Sequence, residues 1–370
     1  MTRVPFVYLD RQFADLDPYL EDLRELARSG QFTLGPAVGE YEERFAALQQ
    51  APHAIGVSSG TDALIVSLEA MDIGPGDEVI TCATTFIATV GAIVAVGASP
   101  VLVDCDDAYL IDCEAVAEAI GPRTRAIMPV HYTGDMADMK NLSKLAERHG
   151  LLMVEDACQA VAASIDGRPA GLWSDAAAFS LHPLKNLNVW GEGGVVVTRD
   201  DELAERIRRR RNHGLIDRDR VAEFGRNYRL HALQAVIGLR LMDSAEAIID
   251  RRNEIAARYD EAFADLDEIR LPPRRPGVRH AFHLYVMEVE RRDELLGFLI
   301  DREVEAKIHY PIPIHLQPAA AGLGYGRGTF PRSEHYADHA ITLPGHQHLT
   351  DDEVAAAIHA VHEFYGRHER

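Results

Sequence analysis

The stretch "DAAAFSLHPLKNLNVWGEGGVVVTRD", residues 175–200, contains two apolar runs on either side of a loop that carries one lysine, Lys185. Each run has the length of a β-strand, and neither alternates apolar with polar residues, which is the pattern of strands covered on both faces. The stretch therefore predicts two core strands joined by a loop, with an amine placed just past the end of the first strand.

Similar apolar runs precede this stretch along the chain. They are "DEVITC", "SPVLVDCD", "RAIMPVH" and "LLMVEDA", and segments with helical spacing, such as "TFIATVGAIVAVG" and "MKNLSKLAERHG", lie between them. Strands that alternate with helices form crossover units, in which the strands are parallel and helices cover both faces of the sheet. We therefore predict an α/β fold with a mostly parallel central sheet over about residues 57–198.

The pattern changes from about residue 245. A long charged helix is followed by the proline-rich "LPPRRPG", the strand-like "HAFHLYVMEVE", the helix "RDELLGFLIDREV", the loop "HYPIPIHLQPAA" and the amphipathic helix "DDEVAAAIHAVHEFYG". We therefore expect two domains, a large cofactor-binding α/β domain at residues 1–245 and a smaller C-terminal α+β domain at residues 246–370.

Composition excludes several classes of function. The 370 residues include 38 Lys and Arg against 58 Asp and Glu, a net charge of −20 that repels nucleic acid over most of the surface. The basic run in "DELAERIRRRRNHG" follows acidic residues, an order that stabilises a helix, so we interpret it as a helix end. No stretch has the length of a membrane span, and the four cysteines form no CxxC pair. We expect a cytoplasmic protein with reduced thiols and with neither a nucleic-acid nor a membrane partner.

Residues just past the carboxyl ends of parallel strands are the first candidates for a site, because ligands bind there in open α/β sheets. In "VSSGTDAL", Gly60 and Thr61 begin a helix after a strand-like run, and a helix N-terminus can bind phosphate. A serine N-cap explains these residues equally well, so both interpretations stay open. In "MVEDACQA", Glu155 and Asp156 end a strand, where a buried carboxylate needs a cationic partner or serves as a cap.

Lys185 connects these signals. A lysine in a desolvated pocket has a lowered pKa, and its neutral amine can form a Schiff base with a carbonyl compound. Pyridoxal phosphate requires such a lysine, an acid beside its ring nitrogen and a cradle for its phosphate. The order of these three elements along successive strands predicts pyridoxal 5′-phosphate as the cofactor, with pyridoxamine phosphate as its other form.

The chain resembles the pyridoxal-phosphate-dependent sugar aminotransferases of the DegT/DnrJ/EryC1/StrS family, a branch of the fold type I aminotransferases. The resemblance rests on "GQFTLGPAVGEYEERFA", "VSSGTDAL", "GPGDEVITCATTFIAT", "VEDACQA", "AFSLHPLKNLNVWGEGG", "GRNYRLHALQA" and "IHYPIPIHLQPA", in the family's order. It implies a homodimer with shared active sites. It also implies transfer of an amino group from L-glutamate to a ketosugar, most often nucleotide-linked, in amino-sugar biosynthesis.

The resemblance further implies a role for each matching residue. The implied catalytic residues are Lys185, which forms the internal aldimine, Asp156 at the pyridine nitrogen, and His182 beside the lysine on the substrate side. The implied cofactor contacts are Gln159 at the phenolic oxygen, Phe86 on the ring face, Gly60, Thr61 and Ser180 at the phosphate, and Asn227 at the phosphate of the neighbouring subunit's cofactor.

Departures from the family's pattern lie near the mouth of the site and leave the acceptor open. They include Leu184, where the family often has Thr, and the turn at residues 188–190. Candidate acceptor-side residues are His182, Trp190, His309, Tyr310, His315 and Gln317, although the last four could simply belong to a proline-stiffened packing loop. Candidate cations for a diphosphate are Arg226, Arg229 and Lys307.

Three other interpretations are compatible with parts of the sequence. The acceptor could be a cyclitol ketone or a free ketosugar. A non-catalytic regulatory or binding protein could use the same fold, although Lys185, Asp156 and Gln159 argue against it. Two histidine pairs have ligand-like spacing, but no further ligands accompany them, so we expect no metal site. These pairs are His335 with His339 and His346 with His348.

Overall fold

The computed structural model describes residues 2–366. Its α-helices are α1 (Leu9–Gln12), α2 (Asp17–Ser29), α3 (Pro36–Leu48), α4 (Gly60–Ala70), α5 (Ile87–Ala95), α6 (Cys113–Ala119), α7 (Met139–His149), α8 (Asp201–Arg210), α9 (Ala232–Met242), α10 (Ala245–Phe263), α11 (Arg292–Asp301), α12 (Pro331–His339) and α13 (Asp351–Phe364). Its strands are β1 (His53–Val57), β2 (Glu78–Cys82), β3 (Ser99–Val103), β4 (Thr124–Met128), β5 (Leu152–Asp156), β6 (Ser164–Ile165), β7 (Arg168–Pro169), β8 (Ala176–Ser180), β9 (Gly194–Thr198), β10 (Ile269–Arg270), β11 (Val278–Arg279), β12 (Tyr285–Val289) and β13 (Ala340–Leu343). Short 3-10 helices lie at Tyr132–Gly134, Ile314–Leu316 and Pro318–Leu323. Within residues 2–366, none of the helices is both long enough and apolar enough to cross a bilayer.

Seven strands form the central sheet, in the order β1-β9-β8-β5-β4-β2-β3. Strand β9 runs antiparallel to both of its neighbours, β1 and β8. The other neighbouring pairs in this sheet are parallel. The predicted α/β fold with a mostly parallel sheet is therefore confirmed.

Both faces of the central sheet are buried. In β9, Val195 and Val197 belong to one hydrophobic cluster, whereas Val196 belongs to another. Strand β4 divides in the same way, with Ile127 in the first cluster and Ala126 in the second. Successive side chains of a strand point to opposite faces of the sheet. Burial of apolar surface on either face stabilises the fold by about 25 cal/mol for each Å² removed from water. This is why these strands are continuous apolar runs.

The C-terminal part has a sheet of its own, β10-β12-β13, which is antiparallel and packs with α10, α11 and α13 around a separate core. Helix α10 contributes to two cores. Ile248, near its start, packs with Leu187 from the Lys185 loop, whereas Tyr259 and Phe263 pack in the C-terminal core. The division between residues 1–245 and 246–370 stays a prediction, and α10 is the element that the two parts share.

An N-terminal segment, residues 3–12, connects the C-terminal part to the loop that carries Lys185. Val4 forms a parallel bridge with Val304. Farther along, Gln12 donates from its side-chain amide to Asn188 Oδ1 at 2.8 Å. Although it comes first in the chain, this segment therefore contacts the C-terminal part as well as the central-sheet region.

Helix α8 carries the basic run and ends as its charge order predicts. Arg206 lies 2.6 Å from Asp72, and Arg210 lies 2.8 Å from Glu223. Asp200 accepts from the N–H of Leu203 and caps the first turn. These arginines form ion pairs within the chain at a helix end, as the sequence interpretation expects.

Candidate active site

The carboxyl ends of the parallel strands open into a cleft of about 600 Å³. Its walls are the residues after β2, β5 and β8, the first turn of α4 and side chains from the C-terminal part. Parallel strands end at the same edge of a sheet, which is why residues distant in sequence meet here. The sequence-predicted residues in the lining are Gly60, Thr61, Phe86, Asp156, Gln159, Ser180, His182, Lys185, His309 and Tyr310.

Lys185 reaches the cleft from the loop between β8 and β9. Its N–H donates to the His182 carbonyl at 2.8 Å, and its own carbonyl accepts from the Tyr8 hydroxyl at 3.2 Å and the Asn188 amide at 3.1 Å. Burial lowers the pKa of the Lys185 ammonium and outweighs the opposing field of the acidic groups around it. The loop is thus fixed through its backbone. Because the pKa of Lys185 is lowered, a larger fraction of its amine is neutral and nucleophilic than in an exposed lysine.

Asp156 faces the same cleft from the end of β5 and is only 6% exposed. The Thr89 hydroxyl donates to its Oδ2 at 2.7 Å, and the N–H of Cys158 donates to its Oδ1 at 3.2 Å. Each carboxylate oxygen therefore accepts a hydrogen bond, which fixes the orientation of the group. A carboxylate held in the wall of the cleft can support a protonated ring nitrogen.

The adjacent acid, Glu155, lies on the opposite face of β5. It is fully buried and accepts hydrogen bonds from the Ser174 hydroxyl and two backbone N–H groups, while His131 Nε2 lies 2.7 Å away. Burial acts to raise the pKa of Glu155, but the bonds from His131 and the other donors hold it below its ordinary value. Of the two carboxylates, Glu155 is structural and Asp156 serves the cleft.

The first turn of α4 lines the cleft through Gly60 and Thr61. Ser59 caps the helix by accepting from the N–H of Asp62 at 3.0 Å. A Cβ added at Gly60 would lie 2.8 Å from the Ser180 Cβ and 2.9 Å from the Cys158 Sγ. Only glycine fits there, and the open helix N-terminus offers N–H groups and a positive dipole end to a phosphate. The capping and phosphate interpretations are therefore compatible.

Phe86 and Gln159 lie in the walls of the cleft. Phe86 is half exposed, and its ring centroid lies 5.7 Å from that of Tyr310. Gln159 accepts at Oε1 from the N–H of Thr133 at 2.7 Å and donates from Nε2 to the Tyr310 hydroxyl at 3.1 Å. These bonds orient the amide and leave its second N–H for a ligand oxygen.

The residues of the cleft fit pyridoxal phosphate. The first turn of α4 lines the cleft at Gly60 and Thr61, so its backbone N–H groups suit a phosphate. The Asp156 carboxylate suits a protonated ring nitrogen, and the Lys185 amine suits an aldehyde. Each of the three groups that the cofactor requires is therefore present on the walls of one cavity.

Three of the predicted acceptor-side residues line the cleft: His182, His309 and Tyr310. Burial lowers the pKa of His309 to about 4 and raises the pKa of Tyr310. Both side chains are therefore neutral near pH 7 and can exchange hydrogen bonds with uncharged hydroxyl groups.

The other three predicted acceptor-side residues do not line the cleft within one chain, and their contact with the acceptor stays a prediction. The ring of Trp190 packs against Tyr19, with centroids 5.5 Å apart. His315 is buried, and its Nε2 lies 3.0 Å from a carboxylate oxygen of Glu334. Gln317 donates to a carbonyl within its own loop. Contacts within the chain thus account for the positions of all three side chains.

The predicted cations also lie outside the lining of this cleft. Arg226 forms an ion pair with Glu69 at 2.9 Å, and Lys307 lies over an aromatic ring at 4.5 Å from the centroid. Arg229 donates from Nε to Asn227 Oδ1 at 2.9 Å. Both Asn227 and Arg229 line a separate cavity of about 250 Å³. Within one chain, Asn227 therefore does not share a cavity with Lys185.

The cleft contains further residues that sequence reasoning missed: Thr85, Cys158, Glu192 and His283, with Thr89 behind the wall. The two threonines lie in the same motif as Phe86, and Cys158 lies in the same motif as Asp156. Their closeness in sequence to these residues could have indicated that they belong to the cleft. No local signal in the sequence identifies His283. It lies in the cleft because the backbone on either side of it forms hydrogen bonds with the loop after β4.

Among residues 2–366, no three His, Cys, Asp or Glu side chains are grouped in a way that could hold a metal ion. The rings of His335 and His339 stack with centroids 4.0 Å apart. His346 Nε2 lies 2.9 Å from the carbonyl of Pro5. Ring stacking accounts for the positions of His335 and His339, and a hydrogen bond to the backbone accounts for that of His346.

Similarity to curated proteins extends over almost the whole chain. It is 42% identical over 367 residues to dTDP-3-amino-3,4,6-trideoxy-alpha-D-glucose transaminase from Streptomyces venezuelae, covering 99% of this chain and 97% of that protein. It is 40% identical over 368 residues to a protein of Geobacillus stearothermophilus named pleiotropic regulatory protein, with 98% of each chain covered.

Solved structures show the same fold. DesV of S. venezuelae, crystallised in complex with a ketimine intermediate, superposes with a TM-score of 0.97 and 41% identity over the full length of both chains. NtdA of Bacillus subtilis, with bound cofactor PMP, superposes with a TM-score of 0.93 and 30% identity, covering 99% of this chain and 86% of that one. The sequence model of the DegT/DnrJ/EryC1/StrS aminotransferase family matches residues 17–362, so this chain is an enzyme of that family.

Proposed function

We propose that the protein is a cytoplasmic, pyridoxal-phosphate-dependent aminotransferase that transfers the amino group of L-glutamate to a nucleotide-linked ketosugar in amino-sugar biosynthesis. The observation that carries this proposal is the convergence of the Lys185 amine, the Asp156 carboxylate and the open N-terminus of α4 on one cleft. Membership of an aminotransferase family supports the same chemistry.

When bound, pyridoxal phosphate supplies an electron sink for reactions at the carbon that carries the amine. The residues of the cleft hold and orient it. Asp156 would pair with the ring nitrogen, and Gln159 would donate to the phenolic oxygen. The first turn of α4 and Ser180 would hold the phosphate, and Phe86 would pack against the ring.

Lys185 has two tasks in this proposal. Its neutral amine would be the nucleophile that holds the aldehyde group of the cofactor. When it is not bonded in this way, the same amine would serve as the base that accepts and returns the proton of the amino donor's Cα. The lowered pKa of Lys185 suits both tasks, because only the neutral amine is a nucleophile and a base.

The acceptor side of the cleft supports a sugar substrate. His309 and Tyr310 are neutral and can bond to hydroxyl groups, and the dTDP-sugar transaminase relative supports a nucleotide-linked acceptor. A cyclitol ketone or a free ketosugar is the second candidate, because Arg226 and Arg229 do not line this cavity. Turnover of one preparation with nucleotide-linked and free ketosugars separates the two candidates.

We further propose a homodimer in which each chain completes its partner's site. Asn227 occupies a cavity apart from Lys185 in the same chain, as expected of a residue that serves a second copy. The nearby loop exposes apolar side chains, with Phe224 99%, Ile216 56% and Val221 55% exposed. A second copy would remove such a surface from water.

Replacing Lys185 tests the mechanism. Lys185→Ala and Lys185→Arg should lower turnover at least about 10³-fold, because both remove the nucleophile and proton carrier. Purified wild-type protein should be yellow and should bleach when given L-glutamate, and both variants should lose this response. Lys140→Ala is the matched control, because Lys140 is half exposed and pairs with Asp166 on the surface. Full turnover in either Lys185 variant would contradict the mechanism.

The name of the Geobacillus relative raises a regulatory role as a second function. The glutamate assay separates the two functions, since a purely regulatory protein would not convert the bound cofactor. Bleaching by glutamate, followed by return of the colour with a ketosugar, would identify catalysis.

A further inference from the structure

Two threonines link the cleft to Asp156 through a chain of hydrogen bonds, the threonine relay. Thr85 Oγ1 lies 2.7 Å from Thr89 Oγ1, which lies 2.7 Å from Asp156 Oδ2. Their exposures are 2%, 0% and 6%, so water does not compete for these bonds. The surroundings of the Asp156 carboxylate on this side are therefore set by protein groups and not by water.

The direction of the relay follows from its protons. A carboxylate oxygen can only accept, so Thr89 donates its one hydroxyl proton to Asp156. The Thr89 oxygen then accepts from Thr85, whose own proton is used in turn. Donation thus runs toward the carboxylate, and the Thr85 hydroxyl offers only lone pairs to the cleft.

The relay also connects two walls of the cleft. Thr85 and Thr89 flank Phe86, the N-cap residue of α5, while Asp156 ends β5. The bond from Thr89 to Asp156 therefore holds the first turn of α5 against the end of β5. In this way the aromatic wall at Phe86 is fixed relative to the carboxylate.

We propose that Thr89, supported by Thr85, is a positioning residue that holds the Asp156 carboxylate in the orientation in which it meets the cofactor's ring nitrogen. This inference rests on the proposed function, in which Asp156 supports that nitrogen. The hydrogen bond from Thr89 to Oδ2 restrains rotation of the carboxylate. With Oδ2 held in this way, Asp156 would keep a fixed position relative to the ring nitrogen.

The test is Thr89→Val, which keeps the shape of the side chain and removes its hydroxyl. The affinity of the apoprotein for pyridoxal phosphate should fall about 5- to 20-fold. The pH midpoint of the bound cofactor's visible absorbance should rise by about half a unit or more. The reason is that a less positive ring would bind more tightly the proton on the nitrogen that joins Lys185 to the cofactor. Thr89→Ser should restore both values, and Thr85→Val should move both in the same direction by less.

Thr81→Val is the matched control. Thr81 is fully buried, and its hydroxyl donates to the Met128 carbonyl at 2.8 Å without touching Asp156. Its loss should lower stability and leave the midpoint unchanged. If Thr89→Val lowered stability alone, with the wild-type midpoint and affinity, the relay would be a structural feature and the inference would be overturned. If Thr89→Val did not fold, an unshifted midpoint in Thr85→Val would overturn it instead.

Asp156→Asn distinguishes failure of this inference from failure of the proposed function. It should shift the midpoint and weaken cofactor binding more than Thr89→Val does. A shift in Asp156→Asn without one in Thr89→Val overturns only the relay. Unchanged values in Asp156→Asn would remove the role of Asp156, and the inference would fail with it.

Discussion

At the scale of single residues, Glu155 and Asp156 have different tasks although they are neighbours on one strand. Glu155 is enclosed by His131 and backbone donors, whereas Asp156 faces the cleft. The strand's two-residue period places them on opposite faces. A shift of one residue in the register of β5 would therefore turn the Glu155 position toward the cleft and the Asp156 position toward His131.

Gly60→Ala should weaken pyridoxal phosphate binding by about 10-fold or more, because the new Cβ pushes the first turn of α4 away from the phosphate position. That Cβ would lie 2.8 Å from the Ser180 Cβ and 2.9 Å from the Cys158 Sγ, closer than unstrained contacts allow. Titration of the apoprotein with the cofactor measures the affinity.

Gly297→Ala provides the matched control. Gly297 lies in α11, and nothing lies within 4 Å of its added Cβ. This change should leave cofactor affinity unchanged and stabilise the protein by about 0.5–1 kcal/mol. Equal affinity in Gly60→Ala and the wild type would show that α4 does not hold the phosphate.

At the scale of elements, the loop that carries Lys185 depends on the N-terminal segment. The Tyr8 hydroxyl donates to the Lys185 carbonyl at 3.2 Å and accepts from Arg252 of α10 at 3.2 Å. One side chain thus joins the loop that carries Lys185 to α10, the helix that contributes to both cores. The N-terminal segment is therefore part of the support of the active site.

The same segment should make stability depend on acid pH. Arg11 in α1 donates two hydrogen bonds to Glu353 in α13, at 2.8 and 2.6 Å. This lowers the pKa of Glu353 from 4.5 to about 2. Because the pKa is lower in the folded state, the stabilisation is complete above about pH 4.5 and is lost as the pH falls toward 2. We expect a loss of about 1–2 kcal/mol, less than the full shift implies because Arg11 is partly exposed.

Urea unfolding of Glu353→Gln and the wild type at several pH values measures this contribution. The difference between them should be largest near neutral pH and should shrink toward pH 2. Glu205→Gln is the control, because Glu205 is 60% exposed in its pair with Arg208 and should change stability little at any pH. A Glu353→Gln deficit that did not vary with pH would show that packing, rather than charge, is responsible.

At the scale of the whole molecule, the proposed homodimer predicts complementation between two defective variants. Lys185→Ala and Asn227→Ala should each have low activity at limiting cofactor. In a mixed dimer, one site would combine the intact Lys185 of one chain with the intact Asn227 of its partner. After subunit exchange of equal amounts, activity should recover to about a quarter of the wild-type value per chain.

A second mixture provides the control. Lys185→Ala with Asp156→Asn should recover nothing, because both residues serve the cleft of their own chain and no site in the mixed dimer is intact. Subunit exchange is followed by native mass spectrometry. If exchange occurred and the Lys185→Ala and Asn227→Ala mixture stayed inactive, Asn227 would not belong to its partner's site.

The sequence by itself determined the sheet and identified three residues that line the cleft. The apolar runs predicted the strands, and Gly60, Asp156 and Lys185 could be found because each lies at a strand end or a helix start, which short stretches of sequence signal. Only the tertiary structure decided that Thr89 meets Asp156, that His283 enters the cleft, and that Trp190, His315 and Gln317 do not. Such contacts depend on strand register and on the packing of elements that are far apart in the chain. Register and packing result from many weak interactions between distant residues, and no single stretch of sequence contains them.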